Sequence, residues 1–349
     1  MTVIPSKRLK IVLAIVLPTL FSFMFARAAD QDASNYLVPS APLPGSEQGE
    51  TPALRQNAQG ILLIESPVGG IERIDLPTLA RRTVRAAGKY DSPVISLTEP
   101  DALGAVAFLT TSAAGARRFD VRLIDQDRET VLFSGKGDPL WDQPVSPMAF
   151  SANDHRLAFV AQKSDDPEPY SQLIVGTLRI WDPRRNSIQN TLLDALGQRP
   201  AWLRDGRYVV YAAPGVGSTT ATPVVHLYDT ANGVDAKLTS GEHPIVSSDG
   251  RSLLVTRGKP ATLVMYELDS GRTKEIHAPV DLAKPVGFIQ SRYLVYMGNT
   301  TPGAAQGFTT HTSRAPRPLL SLKIFDLQTR QFASLLPLID PRTEITMHY

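Results

Sequence analysis

A chain of 349 residues without a cysteine forms no disulfide and offers no thiolate metal ligand, Cys nucleophile or lipid-modified cysteine behind an export signal. With 42% hydrophobic and 20% charged residues it suits a globular core, and its length fits two ordinary domains or one large all-β domain. The net charge of +2 resides in the first 28 residues, whose Lys7, Arg8, Lys10 and Arg27 have no acidic counterpart; without them 32 basic residues face 34 acidic ones. A net of −2 lacks the basic footprint of a nucleic-acid binder, so no nucleic-acid partner is expected.

Residues 1–28 read as a secretory signal peptide. A basic n-region precedes an apolar run of 15 residues interrupted by Pro18, and Ala26-Arg27-Ala28 forms an A-x-A cleavage site. The run is shorter than the ~20 residues a permanent helical span needs. The expected mature chain therefore starts at Ala29, keeps no stable membrane span, and is periplasmic or secreted. Residues 29–50 hold Pro39, Pro42, Pro44, Gly45 and Gly49 among polar residues and read as a flexible linker.

From Thr51 a repeat begins. An apolar or aromatic residue followed by an acid recurs six times, at Ile74-Asp75, Ile124-Asp125, Trp181-Asp182, Tyr228-Asp229, Tyr266-Glu267 and Phe325-Asp326. The spacings of 50, 57, 47, 38 and 59 residues bracket the ~40–50 residues of propeller repeats. A proline opens the first strand of each unit, at Pro52, Pro93, Pro147, Pro200, Pro244 and Pro285, where the missing ladder donor is best tolerated. Second strands follow at residues 61–64, 105–109, 157–161, 208–212, 253–255 and 293–297, apolar on nearly every residue as a sheet covered on both faces requires. Tight turns such as Asp205-Gly206 and Asp249-Gly250 separate first from second strands. Trp181 and Tyr228, recurring at one position of the repeat, are expected to pack between blades rather than anchor a partner. The pattern predicts an all-β chain, a six-bladed β-propeller of four-stranded antiparallel blades over residues 51–338. Residues 339–349 form a tail that, like residues 36–38, is a candidate for the strand that closes the ring.

The units from Ser146-Pro147 to Ala161, Arg199-Pro200 to Ala212 and His243-Pro244 to Val255, each with its later Trp-Asp, Tyr-Asp or Tyr-Glu turn, resemble the WD40-like repeats of the TolB-type β-propeller family. The resemblance is good over residues 146–275 and only in outline at both ends. Ser248-Asp249-Gly250 and Arg204-Asp205-Gly206 keep the family's Asp-Gly turn, while Asn153-Asp154 and Gln290-Ser291 depart from it. The resemblance implies a six-bladed periplasmic propeller that works by binding another protein. It also implies an α/β domain ahead of the propeller in the family's name-giver, for which only residues 29–50 are available here.

No serine-hydrolase elbow and no Walker A motif occurs, and Asp125-Gln126-Asp127-Arg128-Glu129 lacks the glycine and final glutamate of a calcium loop. The six histidines (His155, His226, His243, His277, His311, His348) show no H-E-x-x-H and no i,i+4 pair. His243 alone stands where it would face the central channel. The expected inner-strand cores, at residues 93–96, 147–150, 200–203, 244–247 and 285–288, carry no carboxylate or imidazole, so no catalytic residue, metal or cofactor is expected.

The leading expectation is a monomeric, exported, non-enzymatic module binding a protein or peptide partner of the cell envelope. The runner-up is an exported hydrolase or lyase acting in the propeller channel, and a glycan binder is a third possibility. The long loops between second and third strands emerge together with the inter-blade connections, and rigidly mounted loops concentrate binding residues. Tyr170, Phe308, His311, Arg314 and Arg317 are the expected partner-binding side chains, because interface anchors favour aromatics and guanidinium groups.

Overall fold

The computed structural model describes residues 50–65, 70–76, 78–86, 94–97, 106–111, 119–125, 128–134, 146, 148–151, 154–162, 175–215, 222–258, 262–279, 281–299, 320–339 and 345–348. They form a six-bladed β-propeller of four-stranded antiparallel sheets. Blade one contains β1 (Gly60–Glu65), β2 (Ile71–Leu76) and β3 (Ala80–Arg85). Blade two runs β4 (Val94–Leu97), β5 (Val106–Thr111), β6 (Phe119–Asp125), β7 (Arg128–Ser134), and blade three β8 (Ala149–Phe150), β9 (Leu157–Gln162), β10 (Val175–Asp182), β11 (Ser187–Leu196). Blade four runs β12 (Ala201–Trp202), β13 (Tyr208–Ala213), β14 (Val224–Asp229), β15 (Val234–Ser240), and blade five β16 (Glu242–Val246), β17 (Ser252–Arg257), β18 (Thr262–Glu267), β19 (Thr273–His277). Blade six is β20 (Leu282–Ile289), β21 (Tyr293–Asn299), β22 (Leu320–Asp326), β23 (Phe332–Ile339), and β24 (Ile345–His348) ends the chain.

The core is divided among the seams. Six apolar clusters occur among the described residues, each drawing on two neighbouring blades. This is why the second strands are apolar on both faces. On β13, Val209, Tyr211 and Ala213 pack toward blade three, while Val210 packs toward blade five, and alternate side chains of a strand point to opposite faces. Trp181 and Tyr228 are 4% and 3% exposed and lie in the seams with blades two and three respectively.

Two expectations about first strands are corrected. Pro52 opens no strand: Pro52–Asn57 is a 3₁₀ helix, and a proline at a helix start loses no hydrogen bond because the first N–H groups have no intrahelical partner. Leu54 of this helix is buried against blade six, and the preceding Thr51 donates its N–H to Phe332 O at 2.8 Å. The inner place in blade one is taken by β24, antiparallel to β1 with Leu62 opposite Met347.

The second correction concerns blades five and six. Pro244 and Pro285 do not begin their strands but sit within β16 and β20, where the register shifts between Glu242 and Ile245 and between Pro285 and Gly287. Pro244 falls among the residues that the shift leaves outside the ladder and so forfeits no bond, whereas Pro285 stays in register opposite Tyr296 and the residue left out is Val286 beside it. The inner strands therefore start earlier than the prolines, and β16 includes Glu242 and His243 while β20 includes Lys284. The expectation of inner strands without carboxylate or imidazole fails in blade five.

Candidate functional site

Tyr170, Phe308, His311, Arg314 and Arg317 lie outside the described residues. The described ones bring together two other groups, one at the end of the blades where the tight turns lie and one on the inner strands of blades five and six.

The acid that closes the third strand is first of all a scaffold residue. Asp229 receives Arg207 at 2.9 and 2.6 Å through Nε and Nη2, and accepts the N–H of Ala231 at 3.0 Å. Asp326 receives Arg292 in the same way at 3.2 and 2.6 Å, with the N–H of Gln328 at 2.9 Å. Each guanidinium also stacks on the tyrosine that follows it, Arg207 on Tyr208 at 5.1 Å and Arg292 on Tyr293 at 4.9 Å. Burial pushes both aspartates toward the neutral form, but the guanidinium and turn N–H groups outweigh it and hold both below the ordinary carboxylate value. Sequence reasoning missed these clamps, although an Arg-Tyr pair at the start of β13 and of β21 was there as the signal.

Blade three departs from this pattern, and a cleft lies where it does. The residue facing the acid on the second strand is Arg156, so the clamp position just before it is His155. Asp182 instead caps its own turn, accepting Arg184 N–H at 2.9 Å. Arg156 turns toward blade four, where it lies 4.9 Å over the Trp202 ring and donates to Thr230 Oγ1 at 2.9 Å and to Gly206 O. It thereby covers the turn end of that seam. Between blades two and three there is a cleft of about 570 Å³ lined by Leu123, Leu132, Phe150, Trp181 and Pro183, with Asp125, Asp154, His155 and Arg184 also on its wall. Such a volume and a mostly apolar lining with few polar groups are those of small-ligand sites, ~300–1,000 Å³.

The second group is held by Gln198, on the connection from β11 to β12. Its Oε1 accepts the His243 N–H at 2.6 Å and its Nε2 donates to Glu242 Oε2 at 3.1 Å. His243 has φ of 53°, a left-handed conformation uncommon for a side chain with a Cβ. Burial is the largest influence on its imidazole and lowers the pKa below 6.5; Glu242 pulls the other way and Lys284 adds to the lowering. The folded state then favours neutral imidazole while the unfolded chain protonates below 6.5, so stability is lost as pH falls from there toward the lowered value. His243→Asn, which tolerates positive φ, is expected to flatten that loss. Melting temperatures at pH 7.5 and 5.5 check this, and an equal drop in both proteins counts against it.

A third arrangement recurs on the blade faces. An aromatic residue of the second strand stands opposite a base of the third in four pairs, Phe108/Arg122, Phe159/Arg179, Tyr211/His226 and Tyr296/Lys323. Asp235 accepts from the Tyr211 hydroxyl at 3.0 Å and pairs with His226 Nδ1 at 2.7 Å. Asp281 joins Tyr296 and Lys323 at 3.0 and 2.6 Å. These half-buried networks tie strands together; His226 is a strand residue, as its place in the sequence suggests. Among the described residues no three His, Cys, Asp or Glu side chains converge as a metal site, and no helix is long and apolar enough to cross a membrane.

The geometry defines a class, the six-bladed propeller with an inner-strand polar cluster and an open seam. More particularly, the fold is that of a TolB-like propeller. TolB from Acinetobacter baumannii aligns with a TM-score of 0.57 and 16% identity over 82% of this chain, which spans 65% of the length of that protein. A putative TolB from Agrobacterium tumefaciens aligns at 0.51 and 11% identity over 83% of this chain and 99% of its own. An oligogalacturonate lyase in complex with manganese aligns at 0.53 and 12% identity over 77% of this chain and 70% of its own. At such identities the likeness is one of fold. No family model matches the chain, and no curated protein matches it.

Proposed function

We propose that the protein is an exported, non-enzymatic propeller that binds a protein or peptide partner in the cell envelope. The observation that carries this reading is the cleft between blades two and three. It joins an apolar floor to a charged rim, the composition by which a rigid scaffold recognises a partner. The likeness of fold to TolB and the export signal in residues 1–28 support the same reading. Two measurements test it. Protein recovered from the periplasm should have the intact mass of a chain starting at Ala29, and a retained Met1 in that fraction argues against export by this signal. Immobilised mature protein should retain one envelope protein at near-equimolar amounts, quantified by mass spectrometry against a blocked resin. Failure to enrich any protein over the resin removes the binding-module reading.

A second reading, an exported hydrolase or lyase acting in the channel, is favoured by one observation: neutral His243 beside Glu242 and Lys284 on the inner strands. An imidazole held neutral is competent as a general base. Stoichiometric bound metal in the purified protein, or turnover abolished by His243→Asn, would decide for this reading.

A further inference from the structure

We propose that the cleft between blades two and three recognises a short peptide with free termini and one large apolar side chain. The inference rests on the binding-module reading and specifies the chemistry of its ligand. The apolar part follows from the floor, where Leu123 and Leu132 of blade two face Phe150 and Trp181 of blade three. The two rings are 8% and 4% exposed, so the seam holds them fixed and only their edges reach the cleft, while the half-buried Leu123 and Leu132 present most of the apolar surface to a ligand. The charged part follows from the rim. Asp154 is engaged by Arg156 Nε at 2.6 Å, but the side chains of Asp125 and Arg184, both exposed, have neither a salt bridge nor a hydrogen bond among the described residues. One wall thus offers a free carboxylate at the end of β6 and the other a free guanidinium in the turn after β10.

A free carboxylate and a free guanidinium on one apolar cleft are complementary to an ammonium and a carboxylate carried by one ligand. A peptide terminus supplies each, and a guanidinium binds a carboxylate in a two-pronged geometry that a neutral amide cannot match. An unbranched fatty acid would satisfy Arg184 and leave Asp125 without a partner on the ligand. A purely cationic ligand would do the reverse. A cavity of about 570 Å³ holds more than one amino acid, which is why a short peptide is the better occupant.

Titration calorimetry of the mature protein with the tripeptide Ala-Phe-Ala tests the proposal. The expected result is saturable binding at one site, at least about tenfold weaker for the N-acetylated, C-amidated form and for Ala-Ala-Ala. Exposed charge pairs are individually weak, so Asp125→Asn and Arg184→Ala are each expected to lose about threefold, and the double variant about tenfold. Both positions are exposed, and an unchanged melting curve confirms folding. Leu132→Trp, which fills the floor from blade two, should abolish binding. Absence of saturable binding, or equal binding of free and capped tripeptides, overturns the proposal, as does undiminished binding by the double variant. Envelope-partner capture run in parallel separates the two readings. Capture that persists while the tripeptide does not bind overturns the cleft assignment alone, whereas loss of both overturns the binding module as well.

Discussion

Removal of residues 340–349 is expected to lower the melting temperature by about 10 °C. The deletion takes away β24, whose four residues pair with β1 from Ile61 to Ile64, and Met347, 3% exposed in the seam between blades six and one. Losing a buried Met side chain costs about 2–3 kcal/mol. Each ladder bond lost adds up to ~1 kcal/mol, so the total is about 5 kcal/mol, equivalent to about 10 °C at ~2 °C per kcal/mol for a chain this size. The inner edge of β1 would also be left unpaired, an invitation to association. Met347→Asp should reproduce about half the effect without shortening the chain, because it buries a charge with no partner. Differential scanning calorimetry of both variants checks the result. An unchanged melting temperature in the deletion would show that β24 does not hold the ring together.

Asp326→Ala is expected to destabilise the protein by about 2–3 kcal/mol. The carboxylate is 1% exposed and accepts the two Arg292 bonds together with the Gln328 N–H, so its loss strands a guanidinium and a turn donor at once. Arg292 is 38% exposed, which lets water solvate part of it and keeps the figure below the range for fully buried pairs. Urea denaturation of Asp326→Ala, Arg292→Ala and the double variant should show that the two single losses do not add. Additive losses would mean the clamp contributes nothing as a pair. The pH dependence has a fixed sign. Because the folded state holds Asp229 and Asp326 below the ordinary aspartate value of 3.8, the clamps contribute fully above that value and are lost as pH falls through the lowered one. The Asp229→Ala/Asp326→Ala protein should therefore show a shallower loss of stability in acid.

The sequence by itself determined the parts governed by local pattern. The six residue-plus-acid steps fall at or next to the ends of β2, β6, β10, β14, β18 and β22, and at Asp182, Asp229 and Asp326 the acid accepts an N–H of the turn that follows, an acceptor close by in the chain. The six apolar runs became the second strands because both faces of a blade's interior are buried, which leaves no polar alternation to hide them. Tertiary structure decided whatever depends on a neighbour distant in sequence. Ile345–His348 is a strand because β1 offers it an edge some 280 residues earlier, and nothing local distinguishes it from a tail. Pro244 and Pro285 lie inside their strands, at or beside a bulge, rather than at strand starts, since only the pairing with β17 and β21 shows that Pro244 and Val286 leave the ladder. The cleft is still less local: Leu123 and Leu132 of blade two and Phe150 and Trp181 of blade three line it together, whereas on the other side of blade three Arg156 covers Trp202. A seam is shaped by two sheets at once, so its gaps are visible only when both are in place.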